Sequence, residues 1–440
     1  MKKIFLLTAI ILILFVSCTG EKEPWRDLVD DKLEMWEQLN GTAEYSVVDG
    51  AIVGKTVLSS PNSFLCTREK FSDFILEFDV LVDPVMNSGV QIRSESLENY
   101  NNGRVHGYQV EIDPEPRAWS GGIYDEARRL WLYPLDRNPE GRKAFINNQY
   151  NHFRVEAIGN SIRTWVNNIP CADLVDDMTP EGFIALQVHG IGNDQSKIAK
   201  EVIWKNIRIL TEDAQKYATP WDNIIPQNSY LVNRLSELEA KEGWQLLWDG
   251  QSYDKWRAIN GDTFPAGGWT GLNGELRLEG SGGNIVTRDK FTDFELILDF
   301  KYEKGGNSGI KYFVNGDPAA GEGWDLGCEY QIIDSNNPDN LLESHRIAGL
   351  YDLLAPVSPR DNGAGTWNRA RIVVRGDSVE HWLNNQLTVK YLRRNDEWRN
   401  MVEGSKYKGI TGFGEADSGR IMLQDHGHPV SFRTIKIREL

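Results

Sequence analysis

The stretch His106–Glu126, HGYQVEIDPEPRAWSGGIYDE, gathers acids, amides, cations and aromatic rings within 21 residues. Tyr108, Val110 and Ile112 alternate with Gln109, Glu111 and Asp113, so the predicted strand has one apolar face and one face carrying an amide and two carboxylates. Such a face is either a solvated surface or the floor of a polar groove. Pro114, Glu115 and Pro116 end the strand. Arg117, Trp119, Tyr124, Asp125 and Glu126 then crowd around Ser120-Gly121-Gly122, where the glycines allow a tight turn. This crowding favours the groove, and the mixture suits a ligand with many hydroxyls and flat apolar faces, as a sugar has. Arg117 and Arg128 could orient hydroxyls or steady a developing anion; pairing of arginine with Glu126 is the structural alternative.

The chain then repeats the pattern. Gly327–Tyr351 reads GCEYQIIDSNNPDNLLESHRIAGLY, with Glu329 and Gln331 in one register where Gln109 and Glu111 stand in the other. Ala348-Gly349-Leu350-Tyr351-Asp352 echoes Gly122-Ile123-Tyr124-Asp125. Each half also offers a histidine in one context: Gln187 with His189, and Gln424 with His426, each pair expected on one strand face. Such pairs serve either proton transfer or a hydrogen-bonded rim. His345, in the loop beyond Glu329, reads as a catalytic candidate or an exposed loop residue. Tyr124 and Tyr351 suit sugar stacking or buried packing. His426-Gly427-His428 is too closely spaced to argue for zinc.

Many short strands must position these groups. Phe74–Val82 alternates as a half-buried strand, Asn87-Ser88-Gly89 punctuates, and Phe153–Ile158, Ile162–Val166, Ile184–His189 and Ile203–Ile209 follow. From Phe294 the order returns: Phe294–Phe300, Asn307-Ser308-Gly309, Arg371–Val374, His381–Asn385, Ile421–His426 and Phe432–Ile437. Landmarks repeated in one order predict a tandem duplication and an all-β chain of two sandwich or jelly-roll domains, 25–212 and 240–440. Between them lies a linker, 213–239. Leu231, Leu235 and Leu238 fall at i, i+4 and i+7, which predicts a short amphipathic helix there, capped by Asn228 or Ser229.

Composition bounds the function. The chain has 440 residues and a net charge of −16, which argues against nucleic acid and anionic membrane surfaces as partners. Lys2 and Lys3, the apolar run Ile4–Val16 and Ser17-Cys18 form a lipoprotein-type signal over residues 1–18, with Cys18 as the lipidated residue. Thr19 follows, not Asp, so the expected address is the outer membrane of a bacterial envelope, facing periplasm or exterior, with the lipid as the only membrane contact. Cys66, Cys171 and Cys328 are odd in number and scattered, which disfavours a disulfide framework and a metal site alike. No phosphate-binding glycine loop sits between a strand and a helix, and no G-x-S-x-G is present, so neither nucleotide cofactors nor serine hydrolase chemistry is expected. Acidic residues leave room for a divalent cation, but no spacing identifies one.

Both halves resemble the 3-keto-disaccharide hydrolase domain family, with its concanavalin A-like jelly-roll fold. The second half carries the fuller set: Gly243–Gly250, Trp256, Asn307-Ser308-Gly309, Gly327–Gln331 with Asp334, Gly349-Leu350-Tyr351, Trp367-Asn368, Trp382–Asn384, Leu423–Gly427 and Phe432-Arg433. The first half carries Asn87-Ser88-Gly89, Leu186–His189 and the closing strand. Asn168 and Asn385 stand where the family turns with glycine, Thr434 where it has asparagine, and Gln109 where it has glutamate. The resemblance implies a hydrolase or lyase acting on an oligosaccharide or 3-keto-glycoside. A ketone at C3 acidifies the C2 proton, so a base near C2, donors on the enolate oxygen and an acid for the leaving group suffice. An ordinary glycoside hydrolase, with two carboxylates across the bond, is one alternative. A non-catalytic carbohydrate-binding lipoprotein is the other. The charged groove favours catalysis. The second half is expected to hold the more complete site, with His426, Glu329 and His345 in catalysis and Gln331, Tyr351 and Gln424 on substrate. Glu111, Asp113, Arg117, Tyr124, Gln187 and His189 of the first half would bind substrate or run a second site.

Overall fold

The computed structural model describes residues 24–220, 224–315 and 326–440. The signal segment 1–18 and Cys18 lie outside them. Among the described residues the first half is two stacked sheets, of nine and seven strands. The seven-stranded sheet runs, in spatial order, Leu130–Tyr133, Ile123–Glu126, Val105–Ile112, Ser88–Ser96, Phe183–Val188, Ser63–Thr67 and Trp36–Leu39. Its inward face, with Val90, Ile92, Tyr108, Val110, Ile112 and Leu186, meets Phe74, Leu76, Phe78, Val80, Phe153 and Val155 of the other sheet in one core. Each such side chain contributes roughly 1.5–3 kcal/mol on burial. The alternation that predicted Phe74–Val82 as a strand is realised over those residues.

The second half repeats this build with sheets of eight and five strands. Phe294–Tyr302 lies between Val430–Glu439 and Asn368–Arg375, and the five-stranded sheet centres on Asn307–Val314, flanked by Cys328–Ile333 and Arg420–Leu423. The all-β, twin jelly-roll architecture expected from the repeat is therefore present. The two asparagine turns match as well. Asn167-Asn168 has φ of 50° and 65°, and Asn384-Asn385 has 47° and 67°, the left-handed conformation that asparagine tolerates where other residues with a Cβ resist it.

The connection differs from expectation. Asn228-Ser229 is a strand, pairing in parallel with Leu174-Val175, and not a helix cap. The helix spans only Glu237–Lys241, capped by Ser236 with Glu239 completing a capping box. This helix and the second half are fastened through Lys436, fully buried, whose ammonium bonds the Glu239 carboxylate. Asn385 Nδ2 reaches across to the Tyr230 hydroxyl (2.7 Å) and to the carbonyls of Trp131 and Leu132 (3.2 Å each). Cys66, Cys171 and Cys328 are buried and unpaired, and burial pushes the Cys171 and Cys328 thiols up to about 12.

Candidate active site

In the seven-stranded sheet, register sets the site. Gln187, Gly89 and Glu111 form one row across three strands, and Gln91, Gln109 and Tyr124 the next. All four glutamine and glutamate side chains point away from the apolar core, yet Gln91, Gln109, Glu111 and Gln187 are no more than 3% exposed. The polar face is thus a buried floor, not a solvated surface. Gly89 makes this possible, since a methyl group there would sit 2.5 Å from the Gln109 side chain.

The amides form a chain: Gln91 and Gln187 both donate to Gln109 Oε1, at 2.7 and 2.9 Å, and Gln109 donates to Glu111 Oε2 at 2.9 Å. Asn87 Nδ2 (2.7 Å) and Arg117 Nη2 (3.1 Å) donate to Glu111 Oε1. These donors favour the carboxylate, but burial outweighs them and the Asp113 charge adds to it, so the Glu111 carboxyl is pushed up to about 7. Above this floor lies a cavity of 410 Å³ lined by Glu111, Arg117, Tyr124, Trp131, Gln187 and His189, with Arg104 and Glu126 joined at 2.8 Å on its wall. Tyr124 is pushed up to about 12 by burial and by Glu126 and Glu111, so its hydroxyl remains a donor at neutral pH. Trp131 packs edge-on to Tyr124 at 5.1 Å and lies under the Arg117 guanidinium at 5.0 Å. Gln187, which lines the cavity, has its Oε1 buried with no partner among the described residues.

The second half has the same frame with its groups exchanged. Gln331 stands opposite Gly309 where Glu111 stands opposite Gly89, and Glu329 stands opposite Lys311 where Gln109 stands opposite Gln91. A methyl group on Gly309 would lie 2.5 Å from Glu329. Carboxylate and amide have traded places on one strand. Glu329 faces Lys311 Nζ at 3.6 Å, and Gln331, with its amide nitrogen turned inward, donates to Glu329 Oε1 at 3.0 Å and to the Ser308 carbonyl at 3.1 Å. Tyr351 takes the position of Tyr124, and burial together with Glu329 raises its hydroxyl. Gln424 Oε1, like Gln187 Oε1, is buried and unpartnered among the described residues.

Several expected residues fall elsewhere. His345 is not an exposed loop residue. It is buried, stacked on Tyr351 at 4.5 Å, with Nδ1 at 3.1 Å from the Asp339 carbonyl and Nε2 at 3.0 Å from Asp352. Both ring nitrogens face acceptors, so it secures the loop. His426 is exposed, because the strand read as reaching it ends at Leu423. Asp425 ends that strand: its carboxylate accepts the Gly282 and Gly283 amides, at 2.7 and 2.6 Å. His189 likewise lies just past its strand, exposed at the cavity rim. Asp113 stands behind Arg117 as its buried ion partner, not in the cavity wall. No sequence signal points to Gln91, Arg104, Trp131 or Lys311 in the site, and Asn87, expected as turn punctuation and as part of the shared Asn-Ser-Gly motif, bonds Glu111. The repeat of Asn87-Ser88-Gly89 as Asn307-Ser308-Gly309 was the available signal. Among the described residues no group of three or more His, Cys, Asp or Glu side chains is placed to hold a metal ion.

A jelly-roll sheet whose polar face forms a buried floor of amides and a carboxylate, walled by arginine and aromatic rings, defines a carbohydrate-active protein. The 3-keto-alpha-glucoside-1,2-lyase-like domain model matches residues 24–210 and again 243–438, and the chain belongs to that family. It is a glycoside-cleaving enzyme by that membership. A 3-keto-disaccharide hydrolase of Bacteroides thetaiotaomicron is 30% identical over 230 residues, covering 45% of this chain and 79% of that protein. A candidate glycosyl hydrolase of Parabacteroides distasonis is 28% identical, covering 48% of this chain and 99% of that one, with a TM-score of 0.45. A second from the same organism is 25% identical, covering 42% and 100%, with a TM-score of 0.34.

Proposed function

We propose that the chain cleaves 3-keto-glycosides by proton transfer at Glu111, in the first-half cavity. The observation that carries this is the buried Glu111 carboxyl, pushed up to about 7 inside a cavity lined by Arg117, Tyr124 and His189. Such a group is divided between acid and base near neutrality, where general acid–base catalysis is most effective. The carboxylate takes the C2 proton, Arg117 donates to the oxygen that gains charge at C3, and the C1–O bond breaks as the leaving oxygen gains a proton. Tyr124 gives that oxygen its proton; water then adds at C1, losing a proton to the Tyr124 oxygen, while Glu111 returns its proton to C2, which completes hydrolysis. The C3 ketone thus does the work that an ordinary glycosidase assigns to a second carboxylate. Glu126 also lines the cavity, but Arg104 occupies it.

The second half has the same frame but an ion pair, Glu329 with Lys311, at its centre. We assign it saccharide binding through Glu329, Gln331, Tyr351 and Gln424. This reverses the weighting that sequence resemblance favours, and variants separate the two: Glu111→Gln should lower turnover of a 3-keto-disaccharide by about 10²–10⁴-fold. Glu329→Gln should chiefly raise KM. Loss of turnover in Glu329→Gln or His426→Ala, with Glu111→Gln near normal, would move catalysis to the second half.

We also propose attachment to the outer membrane through a lipid on Cys18. Incorporation of labelled palmitate into wild type but not into Cys18→Ser tests it, and equal labelling of the two would refute it.

A further inference from the structure

Between the halves lies a second cavity, of 350 Å³, walled by the connection and the second sandwich, with Arg137 reaching it from the first. Five arginines and three glutamates line it: Arg137, Arg369, Arg371, Arg375 and Arg438 against Glu239, Glu242 and Glu295. The glutamates are already engaged. Glu239 bonds Lys436, Glu242 accepts from Arg438 at 2.6 Å, and Glu295 accepts from Arg371 at 2.5 Å and Arg438 at 2.7 Å. That leaves an excess of two positive charges around a partly open cavity, where charge interacts more strongly than in bulk water.

Among the described residues, three donors at this cavity lack acceptors. Arg369 spends Nε on Asp299 (2.7 Å) and Nη1 on the Ser229 carbonyl (2.8 Å), and its Nη2 is buried with no partner. Arg371 Nη1 and the Ser229 hydroxyl are also buried and unpartnered. Arg369 is 6% exposed and Ser229 2%. Arg137, contributed by the first half, donates to Asn228 Oδ1 at 3.1 Å. Burial and the neighbouring Arg371 and Arg438 charges hold it down to about 10. Unmatched buried donors with surplus positive charge call for a ligand that brings acceptors and negative charge together.

We infer that this interdomain cavity is an oxoanion site, in which Arg137 of the first half and Arg369, Arg371 and Ser229 hold a sulfate, phosphate or carboxylate group. The space exceeds what a bare oxoanion fills and lies in the range of small-molecule sites, so the anion is free or is the acid group of a charged sugar. Binding would tie the halves together by bridging groups from both, and it is separate from the Glu111 cavity.

The test is calorimetric titration of the full chain with sodium sulfate and with glucuronate, against sodium chloride at matched ionic strength. Saturable binding of sulfate or glucuronate is expected, weakened at least tenfold in Arg137→Gln and measurably in Ser229→Ala, with glycoside turnover unchanged in both. Tighter glucuronate than sulfate would assign a sugar acid, and the reverse a free oxoanion. Should Arg137→Gln fail to fold by circular dichroism, Ser229→Ala decides alone. An equal response to chloride, or unaltered affinity in the variants, would overturn the proposal.

Discussion

Glu111 is held by donors that favour its anion and by burial that opposes it. Because burial prevails, the folded protein binds that proton more tightly than the unfolded chain, whose glutamate has its ordinary value near 4.5. Stability from this group is therefore full below about pH 4.5 and is lost as pH rises through about 7. The loss is on the order of 3 kcal/mol. Urea unfolding should show a fall in wild-type stability across that window that is absent from Glu111→Gln; parallel pH profiles of the two would contradict the assignment. As a base, the same group should make kcat/KM rise with pH through about 7. The role of Glu111 as a polar groove residue was legible from its alternation with Tyr108, Val110 and Ile112. Its ionisation was not, because burial by the fold sets it, and Asn87, which bonds its carboxylate, comes from a separate strand that only the fold brings alongside.

At the scale of the element, one strand register explains both sites and their difference. Gln109 and Glu329, each in the row next to the glycine, lean over Gly89 and Gly309, and which residue does so decides the floor. Gly89→Ala should place a methyl group against Gln109 and cost about 1–3 kcal/mol through overpacking. Chemical denaturation would show this loss together with reduced turnover; a neutral substitution would mean the floor is looser than described. Strands such as Phe74–Val82 were readable from period-two alternation, but their ends were less so. The run to His426 kept a strand-like pattern past Leu423, while Asp425 had already diverted its neighbours into side-chain hydrogen bonds. The leucines at 231, 235 and 238 carried helical spacing over a segment that is turn and irregular chain up to Ser236. The capping box at Ser236 and Glu239 marked the true helix start.

In the whole molecule, duplication supplied two equal frames that then diverged, and the halves are fastened by buried polar contacts. Lys436→Met would leave Glu239 buried without its cation and should destabilise the protein by about 3–5 kcal/mol. Addition of Glu239→Gln should restore part of that loss in a double-mutant cycle; strict additivity would show the pair to be uncoupled.

The most direct test of the account is product analysis after incubation of the soluble chain with a 3-keto-disaccharide and with the unmodified disaccharide, for wild type and Glu111→Gln. Cleavage of the keto substrate only is expected, with a loss of about 10²–10⁴-fold in the variant while the protein stays folded. Equal cleavage of the unmodified sugar, or undiminished turnover in Glu111→Gln, would contradict it.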